Sequence, residues 1–449
     1  MKTEDKNETS HRDRRDMLKT MGVAVAEKMG RQRTLIALGA VGLTVAIIIG
    51  LFAQSRMQAL AQEQPAPGKP ELRRAYFPGT EELAPDEMRV IACGTGSPQA
   101  RLKQAAACFL VQLGNGDKLI FDMGAGSNER LVSLDIPTDK TDKVFIGHLH
   151  LDHVGDLPDF YFTRAVNNGT TKLRVWGPSG VRPEWGMKAA MENMKKMYGW
   201  ERAMRGALMA EIPLEVNEFD WKGVNQVIYN ENGATVRSIP AVHGDQSVSF
   251  ILEYKGLKFA FSSDTVPNKY WVQYTNGVDI SIHESFFAPD EMVSVIGFAP
   301  AEALNVATQV HTPPQGFAYV MAQTRPRLAV AYHFHNDFNY VHMVRDKIRE
   351  TYDGPLDMAT DFMVWNVTKE RITTRLAVVS PDHVAPIRTG PKMPGDPKSY
   401  KYDELTLTGI DPGYGAVVQK IYADFNKKHG TDYKPLLKFA PPPGAPLDQ

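Results

Sequence analysis

From about residue 88 onward, apolar residues gather in short runs separated by polar punctuation. Arg89–Cys93, Ala106–Leu113, Lys118–Asp122, Val144–Gly147 and Leu173–Trp176 are bounded by Gly, Asn, Asp or Pro, the pattern of buried strands. Gly114-Asn115-Gly116-Asp117 lies between the second and third of these and predicts a hairpin. Thr235–Pro240, Val248–Tyr254, Leu257–Ser262, Val278–His283, Leu328–His333, Phe362–Thr368 and Ile372–Val378 predict further strands. Helical spacing runs over 183–212, through Trp185, Met187, Ala190, Met191, Met194, Met197 and Tyr198, and recurs over Ala301–Val310, Gly316–Thr324, 341–352 and near Tyr414–Lys428. Strand runs followed by helices, twice over, predict a two-sheet sandwich with helices outside. The methionine stripe reads as adaptable core, with a lid over a hydrophobic substrate as the sharper alternative.

Upstream the pattern changes. Asp13-Arg14-Arg15-Asp16-Met17-Leu18-Lys19 resembles a twin-arginine export signal, and Thr34 to Ala53 carries no charge. As a helix that stretch would be about 30 Å long, enough to cross a bilayer core. Lys28, Arg31 and Arg33 precede it, which keeps the amino terminus cytoplasmic and exports the rest to the periplasm. Ala59-Leu60-Ala61 matches a small-x-small cleavage site, so residues 1–61 are a signal peptide or a retained transmembrane anchor. Residues 62–87, rich in Pro, predict a linker; 88–385 the catalytic domain; 386–449 a Pro/Gly-punctuated extension.

Composition adds mainly exclusions. A formal net charge of −1 offers nothing global for nucleic acid. Cys93 and Cys108 are the only cysteines and lie in apolar segments, which excludes a disulfide framework and reads as buried thiols, although one bridge between neighbouring strands stays open after export.

The chemistry concentrates in Gly147-His148-Leu149-His150-Leu151-Asp152-His153, at the end of a predicted strand. On an extended segment His148 and His150 point the same way and can grip one ion; Asp152 and His153 follow the bend and can face a second. Three imidazoles and a carboxylate in six residues, in a chain with 12 His among 449 residues, read as a site for zinc-like metals rather than a polar loop. Completing two sites needs distant groups, one of them shared. His243 in Pro240-Ala241-Val242-His243-Gly244, Asp264 in Ser262-Ser263-Asp264-Thr265 and His333 after Leu328–Tyr332 all end apolar strands, where loop-borne sites collect. His335, two residues past His333, competes for the last place. Gly94-Thr95-Gly96-Ser97-Pro98 lacks the Lys-Ser/Thr of a phosphate loop and reads as a structural turn.

These segments, with Trp176-Gly177-Pro178-Ser179-Gly180, His283-Glu284-Ser285 and His311-Thr312, stand in the order seen in metallo-β-lactamase-fold hydrolases. The chain resembles the branch holding the tRNA 3′-processing nuclease (tRNase Z) and arylsulfatase-like enzymes. Within it, residues 88 to 380 are most similar to the metallohydrolases of guanitoxin biosynthesis. The resemblance implies an α+β, four-layer αββα sandwich with two divalent ions at one sheet edge, Zn2+ first, with Mn2+ or Fe2+ as alternatives. His148, His150 and His243 would hold the first ion, Asp152, His153 and His333 the second, with Asp264 bridging. Glu284 and His311 would assist proton transfer near the leaving group, and Asp152 could accept or return a proton. The nuclease has Thr where Tyr332 stands, and a basic Gly/Pro-rich arm where 181–240 is Met-rich and mixed in charge. That argues against tRNA as the substrate, as does export.

The expectation is therefore an exported binuclear hydrolase whose shared water, its pKa lowered toward about 7, attacks a small sulfate, phosphate or lactone ester. Its partners would be that small molecule and, if the signal is kept, the membrane through 34–53; no nucleic acid is expected and a homodimer is left open. A catalytically silent metal-binding protein would show an eroded ligand set, and an iron-type oxidoreductase would show Glu in place of His150; neither departure occurs. A tRNase Z-like phosphodiesterase is the remaining alternative.

Overall fold

The computed structural model describes residues 74–167, 169–206, 209–384 and 413–435, with isolated positions 395, 403, 405, 409 and 411. The export signal, the stretch 34–53 and the cleavage motif lie outside the described residues. Among the described residues no helix is long and apolar enough to cross a membrane.

Among the described residues sixteen strands in chain order, β1 to β16, form two sheets. The first holds β1 (Ala75–Tyr76), β2 (Met88–Gly94), β3 (Cys108–Leu113), β4 (Lys118–Phe121), β5 (Lys143–Phe145), β6 (Leu173–Pro178), β7 (Leu214–Phe219), β15 (Met363–Val367) and β16 (Ile372–Ala377), in the order β1-β16-β15-β2-β3-β4-β5-β6-β7. The second holds β8 (Gln226–Glu231), β9 (Ala234–Pro240), β10 (Val248–Tyr254), β11 (Leu257–Phe261), β12 (Ile280–Glu284), β13 (Leu328–Tyr332) and β14 (Leu356–Met358), in the order β14-β13-β12-β11-β10-β9-β8.

Period-two alternation sorts the strand residues into layers. Met88, Val90 and Ala92 of β2 face the second sheet, while Ile91 and Cys93 face helices. Between the sheets Phe109, Phe121, Phe145, Phe250, Phe259 and Phe261 are fully buried. Each such ring contributes about 1.5–3 kcal/mol through burial. Helices Ser127–Ser133, Leu157–Thr163 and Met187–Met197 cover the outer face of the first sheet. Lys269–Tyr274, Pro314–Thr324 and Phe338–Arg349 cover the second. The result is the expected αββα sandwich.

Two expectations need correction. The domain takes in residues upstream of Met88: β1 pairs parallel with β16, Tyr76 is buried, and Glu81 bridges Arg375 at 2.8 Å. Part of the predicted linker is thus sheet edge, because a single Tyr and a paired Glu satisfy buried arginines. The 183–212 helix is three pieces, a turn at Pro183–Trp185 and helices Met187–Met197 and Gly199–Gly206, broken at Tyr198-Gly199. Met187, Met191 and Met194 pack on the first sheet as core, while Trp185, Met197 and Tyr198 of the same stripe are exposed. Strands β7 and β8, inside the same insertion, escaped the hydrophobic pattern because every residue of β7 but Phe219 is only partly buried.

Cys93 and Cys108 are both buried and free, and burial pushes the Cys108 thiol well up. The final helix forms as expected, over Tyr414–His429.

Candidate metal centre

Strands β4, β5, β6 and β7 run parallel, and so do β11, β12 and β13, with β9 co-directional through the antiparallel β10. Their carboxyl ends meet at one edge of the sandwich. Asp122 follows β4, the His148–His153 segment follows β5, His243 follows β9, Asp264 follows β11, Glu284 ends β12 and His333 follows β13. Close approach of the two sheets here requires Gly147, whose added Cβ would lie 2.4 Å from Ser263 Oγ. Asp122, Ser263 and His333 all adopt positive φ (56°, 49° and 78°), a strain that functional sites commonly carry.

Two donor sets converge. His148 Nε2 is 3.0 Å from His150 Nδ1, which is 3.1 Å from His243 Nε2; Asp264 Oδ2 lies 3.6 Å from His243 Nε2 and 3.9 Å from His148 Nε2. In the second set His153 Nε2 is 3.1 Å from Asp264 Oδ1 and 3.5 Å from Asp152 Oδ2, and His333 Nε2 is 3.2 Å from Asp152 Oδ2 and 3.3 Å from Asp264 Oδ1. Donors about 2.0–2.2 Å from a tetrahedral ion stand about 3.3–3.6 Å apart; the second set, at 3.1–3.5 Å, lies close to that range and the first, at 3.0–3.9 Å, brackets it.

The tautomers make the stronger argument. His243 Nδ1 donates to the Val310 carbonyl at 2.7 Å, which leaves its Nε2 as a lone pair facing inward. Ser263 Oγ donates to Asp122 Oδ2 at 2.8 Å and is free to accept from His148 Nδ1 at 3.2 Å, so His148 Nε2 also faces inward unprotonated. His153 Nδ1 donates to Asp122 Oδ2 at 2.6 Å, turning its Nε2 lone pair toward two carboxylates. Buried His153 Nε2 and Asp264 Oδ1 then have no hydrogen-bond partner in the fold. Acceptor facing acceptor in a dry site is repulsive unless positive charge lies between them.

Electrostatics agree. Burial favours neutral His153, but Asp264, Asp152 and Asp122 outweigh it and push its pKa well up. Burial would also raise Asp152 and Asp264, yet His153 and neighbouring imidazoles hold both well below the usual carboxylate range. Burial depresses His148 strongly and His243 to about 4, leaving both neutral, the form that ligates. The site calls for cations, and its imidazole and carboxylate donors suit zinc-like ions.

Every residue read from the sequence as a ligand is in one of these sets. His335 is not: the backbone turns at His333, so the two-residue alternation fails, and His335 packs on Phe287 and Tyr340 instead. Tyr332 is a core residue against Phe109 and Phe261. Glu284 and His311 pair at 2.9 Å, with His311 Nδ1 3.8 Å from Asp264 Oδ2 and its ring stacked on Phe286 at 4.3 Å. Burial raises Glu284 and lowers His311. The glycine turn is structural: Thr95 N and Oγ1 donate to Asp361 and its carbonyl accepts from His333 N at 3.0 Å.

Sequence reasoning missed Asp122, which also accepts from Gly147 N at 2.7 Å, and Ser263. Asp122 is a carboxylate at the end of an apolar strand, the signal already used for Asp264.

The profile of the family described as Anti-Pycsar protein Apyc1 matches residues 88–294. Ribonuclease Z of Mycobacterium sp. (strain KMS) is 25% identical over 251 residues, covering 55% of this chain and 84% of that protein. Ribonuclease Z of Mycobacterium avium (strain 104) is 28% identical over 185 residues, 40% of this chain and 64% of that protein. The chain is a metallo-β-lactamase-fold metallohydrolase. Its relatives agree with the tRNase Z-like branch of these metal-dependent hydrolases. Among solved structures, the metallo-β-lactamase-fold protein YhfI from Bacillus subtilis has a TM-score of 0.48 at 17% identity, covering 63% of this metallohydrolase and 100% of that chain. Human tRNase Z, short form, has a TM-score of 0.46 at 18% identity, covering 62% and 98%.

Proposed function

We propose that this metallohydrolase is a binuclear enzyme that cleaves a small ester, with phosphate diesters ahead of sulfate and lactone esters. The observation that carries the reading is the pair of complete donor sets sharing Asp264, beside a buried Glu284–His311 pair. His148, His150 and His243 would hold one ion and Asp152, His153 and His333 the other, with Asp264 available to both sets. Divalent ions, Zn2+ first, supply Lewis acidity and lower the pKa of a water toward about 7. The protein does the rest. Asp122 and the Val310 carbonyl fix the imidazoles as ligands. Asp152 accepts or returns the proton of the attacking water. Glu284, whose pKa burial raises, is placed to pass a proton through His311 toward the leaving oxygen.

Phosphate diesters come first because the curated relatives are ribonucleases; the Met-rich insertion in place of a basic arm favours a small substrate over tRNA. Export, as a soluble or anchored periplasmic protein, belongs to the proposal on the strength of the twin-arginine-like motif, the uncharged stretch Thr34–Ala53 with its preceding basic residues, and the Ala59-Leu60-Ala61 site.

The test is metal content together with an ester panel: aryl phosphate mono- and diester, aryl sulfate, lactone and β-lactam. The expected result is about two ions per chain and one ester class turned over, lost on chelation and restored by metal. Loaded protein that turns over no class would refute the hydrolytic reading and favour a metal-binding role.

A further inference from the structure

The two donor sets are not equally walled in. In the second, His153 and His333 are fully buried and Asp152 is 6% exposed. In the first, His148 and His243 are buried, but His150 is exposed. His150 sits at the N-cap of the short helix Leu151–Val154 with extended backbone, and the next residue, Leu151, is 78% exposed. The chain therefore reaches the surface at this donor.

An imidazole holds a metal most firmly when its other nitrogen is hydrogen-bonded, which fixes the ring and its tautomer. His153 has Asp122, His243 has the Val310 carbonyl and His148 has Ser263. His150 turns Nδ1 toward His148 Nε2 and His243 Nε2, and its Nε2 has no hydrogen-bond partner among the described residues. His333 Nδ1 also lacks a partner, but packing holds that ring: Phe286 and His311 lie 5.5 and 5.3 Å away, and His333 N donates to the Thr95 carbonyl at 3.0 Å. Charge points the same way. Asp152 belongs to the second set alone. Asp264 lies 3.1 and 3.3 Å from the His153 and His333 nitrogens, against 3.6 and 3.9 Å from those of His243 and His148. Two carboxylates thus balance a dication in the second set, whereas the first offers three imidazoles and a share of one carboxylate.

We propose that the two sets hold their cations unequally: the buried set around Asp152, His153 and His333 retains its ion, and the open set at His150 exchanges its ion with solution. The free divalent-cation concentration then sets the share of chains that carry both ions, which regulates the centre. This rests on the two-ion reading above and adds to it which ion is labile and why.

Titration of the Zn2+-saturated full chain with a chromophoric chelator tests this without requiring turnover. The native protein is expected to release its ions in two equal steps, with midpoints about 10–100-fold apart in chelator concentration, the scale set by one missing outer partner. His150→Ala, at an exposed position, should bind one ion per chain and release it at the higher native midpoint, with circular dichroism showing that the variant is folded. A single midpoint for both native ions overturns the inference. So does a folded His150→Ala protein whose remaining ion leaves at the lower midpoint, or which holds no ion. A native protein that takes up fewer than two ions in excess Zn2+ refutes the two-ion reading itself. Two unequal steps in a protein that hydrolyses no ester keep this inference and remove only the hydrolase reading.

Discussion

Asp122→Asn is the substitution that most sharply tests how the fold prepares its ligands. The Asp122 carboxylate is fully buried and accepts three hydrogen bonds: from Gly147 N (2.7 Å), His153 Nδ1 (2.6 Å) and Ser263 Oγ (2.8 Å). Asparagine keeps the volume and turns one acceptor into a donor. If the amide oxygen stays with Gly147, the NH2 group confronts His153 Nδ1–H and the Ser263 hydroxyl. His153 then relaxes by moving its proton to Nε2, the atom that faces Asp264 and Asp152, and the ring stops being a ligand. Losing such a partner typically costs about 10–100-fold in metal affinity, or about 1.4–2.7 kcal/mol. Ser263 also faces His148, so the first set should weaken less than the second. Competition with a chromophoric chelator reads both ions. Half the metal should leave at a chelator concentration about 10–100-fold lower than in the native protein, with a smaller shift for the other half. Release of both ions at the native midpoint, in a protein whose circular dichroism is unchanged, would refute the tautomer argument.

Glu284→Gln should lower kcat by about 10²–10⁴-fold while leaving metal content unchanged, because Glu284 serves the proton relay and not the donor sets; a loss of metal would reassign it as a ligand. Asp264→Ala removes the oxygens common to both sets, and metal analysis should find neither ion firmly held and activity abolished; a fully active metal-free variant would sink the scheme. His283 tests pH-linked stability. Its ring is buried against Trp271, its Nδ1 donates to the Glu284 carbonyl at 2.7 Å, and burial lowers its pKa to about 4. The unfolded chain binds a proton there below about pH 6.5, so this contribution is complete above that value and is lost as pH falls toward 4. At pH 4.5 the loss is about 2.5 kcal/mol. Urea denaturation at pH 7 and 4.5 should therefore show a shallower acid loss in His283→Phe than in the native protein, and parallel losses would contradict the assignment.

Much of the centre was legible because its ligands end apolar strands. A strand deep in a sandwich must be hydrophobic, and a polar group at its carboxyl end marks where the chain meets solvent or a site. That rule found His148, His243, Asp264 and His333, and it would have found Asp122 had it been applied after β4. It gave no choice between His333 and His335, since alternation assumes an extended chain and the backbone turns over at His333. The insertion was less readable: β7 and β8 are edge strands with mixed burial, so their residues lack the apolar run that marks a central strand.

The sequence by itself determined the two-sheet sandwich and nearly all of the residues that converge as candidate metal donors. These follow from local rules, apolar period and donor type, that act within a few residues. The tertiary structure alone decided which imidazole nitrogen faces inward, because that depends on Asp122, Ser263 and the Val310 carbonyl, which are distant in the chain from the rings they orient. It also decided that Met187, Met191 and Met194 of the methionine stripe are core while Met197 stays exposed. Each depends on which surfaces the sandwich brings face to face, and a one-dimensional pattern does not carry that pairing.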